Sequence, residues 1–275
     1  MERNEQQIKS CLQRTSDILL INGGLLDNPG LFTGEMGLAL FFLRYSRFSQ
    51  NEIYEEYSSE LIEKVQNNIH DKTPIDYKQG LTGIGSAIEY LVQHNYIEAD
   101  TDDLLEAFDK KILSLENLPF LSIEELFGIG YYALWRMKTA GTQQYTIIKT
   151  IIPALVSAME ERCKNLRSTY STVKVLKELI ESENPSNLKD FVPIPQTLRL
   201  CRNSYPYGLD VKTYQKFMDQ LSKDDTSKQN MLDLGLQNGL AGFGMSLMTA
   251  LDSDDSWVYL IPSDLIYLKN EPLPL

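Results

Sequence analysis

Four times along this chain a short glycine motif opens an apolar run. The copies are Pro29-Gly30-Leu31-Phe32-Thr33-Gly34-Glu35-Met36-Gly37, Gly80-Leu81-Thr82-Gly83-Ile84-Gly85, Leu126-Phe127-Gly128-Ile129-Gly130 and Gly239-Leu240-Ala241-Gly242-Phe243-Gly244. Their final glycines, Gly37, Gly85, Gly130 and Gly244, stand 48, 45 and 114 residues apart. The last step leaves room for one degenerate repeat between Met137 and Met231. A period near 45 residues suits a unit of two helices and their turns. Glycines two or three apart at a helix start permit a tight turn and close backbone contact.

The run after each motif is apolar on more than one face, as in Leu38-Ala39-Leu40-Phe41-Phe42-Leu43, and such helices are buried all round. The segments between are amphipathic: Ile53, Tyr57, Leu61, Ile62, Val65 and Ile69 recur at helical spacing. Further helices are expected around Asp102 to Leu113, Ile147 to Met159, Val173 to Ile180 and Gln215 to Leu221. Pro153 either begins a helix in its first turn or kinks one. An inner layer of buried helices inside an outer amphipathic layer follows, an all-α double-layered α/α barrel or solenoid of repeated helix pairs. One domain is expected over residues 1–275, with an irregular insert at about 181–209 that carries Pro185, Pro193, Pro195 and Pro206. Loops are expected at 71–78, 115–122 and 222–229, and an extended tail at 271–275.

With 26 basic and 38 acidic residues the net charge is −12, which repels a nucleic-acid backbone. The basic segments at 161–164 and 199–202 are too small to override it. No nucleic-acid partner is therefore expected for this acidic protein. Three scattered cysteines, Cys11, Cys163 and Cys201, imply no disulfide framework. The opening residues lack the order of a signal peptide, and no apolar stretch approaches a membrane span. A cytoplasmic setting and no membrane partner are the expectations.

Residues that could carry chemistry are few. Zinc needs soft ligands converging in one shell. Cys201 has no ligand near it in sequence, and the only histidines, His70 and His94, lie in the first half and are expected at helix ends. No metal and no other cofactor is expected. The Asp-rich stretches Asp100 to Asp103 and Asp252 to Asp255 have no calcium-loop spacing, and the first is placed to cap a helix. The Gly-x-Gly motifs lack a following Lys-Ser or Lys-Thr and a preceding strand, which argues against a phosphate loop. Aromatic and arginine side chains make good peptide anchors. Tyr132 and Trp135 form one such group, and Arg199, Cys201, Arg202, Tyr205 and Tyr207 form another in the region of the degenerate repeat.

The four motif copies resemble those of the lanthionine synthetase C-like family over roughly Gly24 to Leu251, with Leu232 to Gly244 similar to that family's last repeat. The resemblance implies a double-layered α/α toroid whose inner helices open at the glycines. Active members bind zinc through two cysteines and a histidine, held in Trp-Cys-x-Gly and Cys-His-Gly repeats, and the zinc activates a peptide thiol for addition to a dehydrated Ser or Thr. Neither motif occurs here. At the matching positions this chain has Thr33, Gln79, Glu125 and Asn238, and the family's assisting histidine has no counterpart. The chain is also shorter than a full member, so the ring either closes with fewer helix pairs or stays incomplete. The leading expectation is a non-catalytic relative that binds a peptide or a peptide-maturation enzyme in ribosomal peptide modification. The alternatives are a peptide cyclase or other enzyme on the same scaffold, and a structural subunit of a complex.

Overall fold

A computed structural model describes residues 2–113, 118, 120–163, 173, 176, 177, 234–237 and 239–261, with the side chains of 2–4, Thr142 and Cys163 excepted. Among these residues the fold is all α, without a strand. The helices are α1 (Glu2–Asn22), α2 (Glu35–Ser49), α3 (Ile53–Asn68), α4 (Leu81–Gln93), α5 (Thr101–Leu104), α6 (Glu106–Ile112), α7 (Ile123–Arg136), α8 (Thr142–Cys163) and α9 (Leu240–Asp252). A turn of 3-10 helix follows at Ser256–Leu260.

The two expected classes of helix are present. Every residue from Glu35 to Ser46 of α2 is buried, and α4, α7 and α9 are nearly as enclosed. In α3 only Tyr54, Ser58, Leu61 and Val65 are buried, one stripe at helical spacing. The buried helices are neighbours in the order α9, α2, α4, α7; α3 packs on α2, α6 on α4, α8 on α7 and α1 on α9. The first and last buried helices thus lie side by side, although 190 residues separate the end of one from the start of the other.

The motif glycines are sockets, and their spacing follows from what fills them. Gly34, Gly80 and Gly239 are the N-cap residues of α2, α4 and α9, all in the same extended conformation (φ −113° to −120°). Three residues on, a Cβ at Gly37 would run into the Leu31 carbonyl oxygen and stand 3.1 Å from Leu236 Cβ. A Cβ at Gly83 would run into the Tyr77 carbonyl oxygen and stand 3.2 Å from Leu31 Cβ. At Gly128 it would stand 2.8 Å from Thr82 Oγ1 and 3.4 Å from Tyr77 Cβ. Leu236, Leu31 and Tyr77 each lie three residues ahead of a cap, so each helix seats the loop of the helix before it.

A second socket lies two residues further along. Cβ atoms at Gly85 and Gly244 would overlap the rings of Tyr132 and Phe41 on the next helix. At the corresponding positions of α2 and α4 stand Ala39 and Ala87, both buried. No described glycine has a positive φ, so space rather than turn conformation is what these positions require.

This geometry corrects the register read from the final glycines. Gly37 is equivalent to Gly83, Gly128 and Gly242, not to Gly85, Gly130 and Gly244, because the second socket of α2 carries Ala39. The third copy also begins differently. Ser122 and Glu125 form a capping box that starts α7 three residues before the glycine-capped position, so Glu125 takes the place of the cap glycine and Glu124 that of Gln79. Pro153 lies inside α8 rather than at its start. The run from Asp102 to Leu113 is split into two short helices at Leu105. The insert at 181–209, the helix at 215–221, the loop at 222–229, the tail and most of 173–180 lie outside the described residues.

Candidate functional site at the mouth of the buried helices

The loops ahead of α2, α4 and α9 form one edge. Each folds back on its own helix: Glu35 N donates to Asn28 O, Leu81 N to Pro74 O, Thr82 N to Ile75 O, and Ala241 N to Leu234 O, at 2.9–3.3 Å. These first-turn N–H groups, which a helix leaves unsatisfied, are therefore taken by loop carbonyls. Neighbouring loops are also joined, with Phe32 N donating to Lys78 O at 2.9 Å and Gln237 N to Phe32 O at 3.1 Å.

The residues just ahead of the caps meet at this edge. Gln79 Nε2 donates to Thr33 Oγ1 at 3.3 Å, and Lys78 Nζ pairs with Glu124 Oε1 at 3.0 Å. Glu125 is spent on its capping box, accepting from the Ser122 main chain (2.8 Å) and hydroxyl (2.7 Å). These side chains offer hydrogen-bond donors and acceptors and one ion pair; none is a thiol or an imidazole. Asn238, the remaining position, is outside the described residues.

At the opposite ends of the buried helices, ionic networks tie the layers together. Arg136 of α7 is fully buried. Its guanidinium donates to Glu89 Oε1 (2.6 Å), Asp102 Oδ1 (2.7 Å) and Asp109 Oδ2 (2.9 Å), and Asp109 also accepts from the Tyr132 hydroxyl (2.6 Å). Burial works against the Arg136 charge, but its hydrogen bonds to Asp109, Asp102 and Glu89 outweigh that and hold the guanidinium above its usual value. Arg44 of α2, also buried, donates to Asp252 (2.9 and 3.0 Å), to the Asp254 carbonyl (2.6 Å) and to Thr249 Oγ1 (3.1 Å). At the mouth end of α2, by contrast, buried Glu35 pairs with Lys64 at 2.7 Å.

Both Asp-rich stretches thus serve arginines. Asp102 and Asp252 each bind a guanidinium, while Asp100 caps α5 by accepting from Asp102 N at 2.9 Å. The segment after α9 then passes along the buried layer. The Tyr90 hydroxyl meets Ser256 Oγ at 2.9 Å, that of Tyr131 donates to Tyr259 O at 2.6 Å, and that of Tyr77 to Leu260 O at 3.2 Å. Burial pushes the Tyr77 and Tyr90 phenols well above 10, so both stay protonated.

Of the anchors expected from sequence, Tyr132 and Trp135 are buried: Tyr132 faces Asp109, and Trp135 lies edge-on to Tyr90 (6.2 Å between ring centroids) with Lys138 Nζ 4.3 Å above its ring. Arg199, Cys201, Arg202, Tyr205 and Tyr207 lie outside the described residues. His70 sits just past the end of α3, its Nδ1 accepting from Lys72 N at 3.1 Å; His94 caps the end of α4 and packs on Tyr90. Cys11 is buried in α1. Among the described residues no three His, Cys, Asp or Glu side chains are grouped to hold a metal. None of the described helices is long and apolar enough to cross a membrane.

Sequence reasoning missed Arg44, Arg136 and Glu89, although a charged residue inside an apolar helical run was a visible signal. It also missed the tyrosine contacts to 256–260, which join residues more than 120 apart.

The chain belongs to the lanthionine synthetase C-like family, whose model, described as lanthionine synthetase C-like protein, matches residues 26–183. That match spans the first three motif copies; the fourth, outside it, repeats at Gly239 the cap geometry of the first two. A comparison with curated proteins found no match, and neither did a comparison with solved structures.

Proposed function

We propose that this chain is a non-catalytic member of its family that binds a peptide, or the enzyme that carries one, during ribosomal peptide modification. The buried helices belong, in this reading, to a single α/α toroid-like domain. The observation that carries it is the mouth. Where a Cys-His-Gly repeat would put imidazole and thiol ahead of the cap glycine, Thr33, Gln79 and Glu124 stand instead, bonded to one another or to Lys78. Such a rim recognises by hydrogen bonding, and at these three positions it presents neither thiol nor imidazole.

The test is fluorescence anisotropy with a labelled model peptide carrying one dehydroalanine and one cysteine, followed by thiol alkylation and mass spectrometry. Saturable binding with the thiol intact is the expected result. Consumption of the thiol would make the chain a cyclase. No binding would overturn the peptide reading and favour a purely structural subunit.

A further inference from the structure

The turn at 256–260 is joined to α9 through Ser253, which takes the left-handed conformation (φ 63°) and reverses the chain. Tyr90 lies near the end of α4 and Tyr77 ahead of its start, so the segment runs against the direction of that helix. Its contacts differ from helix packing. The hydroxyls of Tyr131 and Tyr77 donate to the main-chain carbonyls of two consecutive residues, Tyr259 and Leu260. Donors aimed at main-chain carbonyls read a backbone, while the pockets beside them read side chains; Val258 and Leu260 are buried here, as is Trp257, whose indole N–H donates to Thr249 of α9 at 3.0 Å. The segment is fastened where it leaves α9. Arg44, 3% exposed, grips Asp252 and Asp254, whose side chains are 33% and 46% exposed. That clasp is the part of the contact that water already reaches.

We propose that residues 256–260 are an intramolecular ligand held in a main-chain-reading groove of α4 and α7, and that a peptide of like chemistry, aromatic and aliphatic with free carbonyls, takes their place when the Arg44 clasp opens. The inference deepens the peptide-binding reading and rests on it, adding a strap that closes the groove from within.

Hydrogen exchange on the full chain tests it, read at the amides of Val258 and Ile261, which donate to Asp255 O and Val258 O. Loss of charge-assisted hydrogen bonds in Asp252→Asn/Asp254→Asn should speed exchange there about ten- to a hundredfold, with α2 and α4 unchanged. A labelled peptide of residues 254–261 should bind this variant at least about tenfold more tightly than the wild type. Adding Tyr77→Phe and Tyr131→Phe should abolish that gain. Arg44→Lys, which keeps the charge but loses the two-pronged grip, gives the same readout should the double variant not fold.

The proposal is overturned if Val258 and Ile261 of the wild type exchange only with α4 at every denaturant concentration and no variant takes up the peptide. Uptake of the 254–261 peptide by a chain that ignores the dehydroalanine peptide would support the strap and overturn the earlier reading. The reverse pattern would overturn the strap alone.

Discussion

Replacing Gly83 with alanine puts the socket account at risk. In an exposed helix interior the change stabilises by about 1 kcal/mol, since alanine is the better helix former. At Gly83 the new Cβ would overlap the Tyr77 carbonyl oxygen and stand 2.9 Å from its carbon and 3.2 Å from Leu31 Cβ. The first two atoms are backbone, in a loop held by Leu81 N and Thr82 N at 2.9 and 3.3 Å and by the Tyr77 hydroxyl, so they cannot swing aside. Overpacking costs about 1–3 kcal/mol, and its upper end applies where backbone has to move. Net of the propensity gain, Gly83→Ala should destabilise by roughly 2 kcal/mol, a fall in Tm of about 4–8 °C for a chain of this size. Gly24, whose Cβ would meet nothing within 4 Å, is the control, and Gly24→Ala should leave stability within about 0.5 kcal/mol. Urea and thermal melts of both variants decide the matter. If the two are indistinguishable, the motif glycines are not sockets and the register built on them is wrong.

Other perturbations test the ionic layer. Arg136→Ala strands Glu89 and Asp109 in the core and should cost about 3–5 kcal/mol in urea unfolding, with a large part restored by adding Glu89→Gln and Asp109→Asn; no restoration would mean that the arginine acts by packing. Burial tends to raise the Asp254 carboxyl, but hydrogen bonds from the Ser256 main chain and hydroxyl, with the Arg44 charge, hold it below its ordinary 3.8. Its folded form therefore favours ionisation. The stability it contributes is fully present above pH 3.8 and is lost as pH falls through the lower folded value. Asp254→Asn should accordingly be less stable than wild type at pH 6, with the gap narrowing below pH 3.8 in chemical melts. A gap constant down to the acid transition would show that Asp254 contributes nothing through its charge.

The repeat, the helical class and the division into buried and amphipathic helices were legible in sequence because each is a local pattern. The register was harder. Gly37 and Gly85 both look like the last glycine of a motif, and only the neighbouring elements show that Gly37 seats Leu236 while Gly85 seats Tyr132. The start of α7 carried a readable signal in Ser122 and Glu125, a capping box in place of a cap glycine. The ionic layer could not be read in the same way. Asp102 and Asp252 sit in turns that look like ordinary caps, and their arginines lie 34 and 208 residues away along the chain. At the motif positions the sequence has Thr33 and Gln79 where the resemblance would put thiol or imidazole. What those residues bond to instead depends on two loops meeting, 46 residues apart.

The claim that this family member does no thiol chemistry is met most directly by zinc content per chain, measured after purification without added metal and without a metal-binding tag. The account expects far less than one zinc per chain, unchanged in Cys201→Ala. Near-stoichiometric zinc that disappears when Cys201 is replaced would contradict it and make the chain a cyclase with displaced ligands.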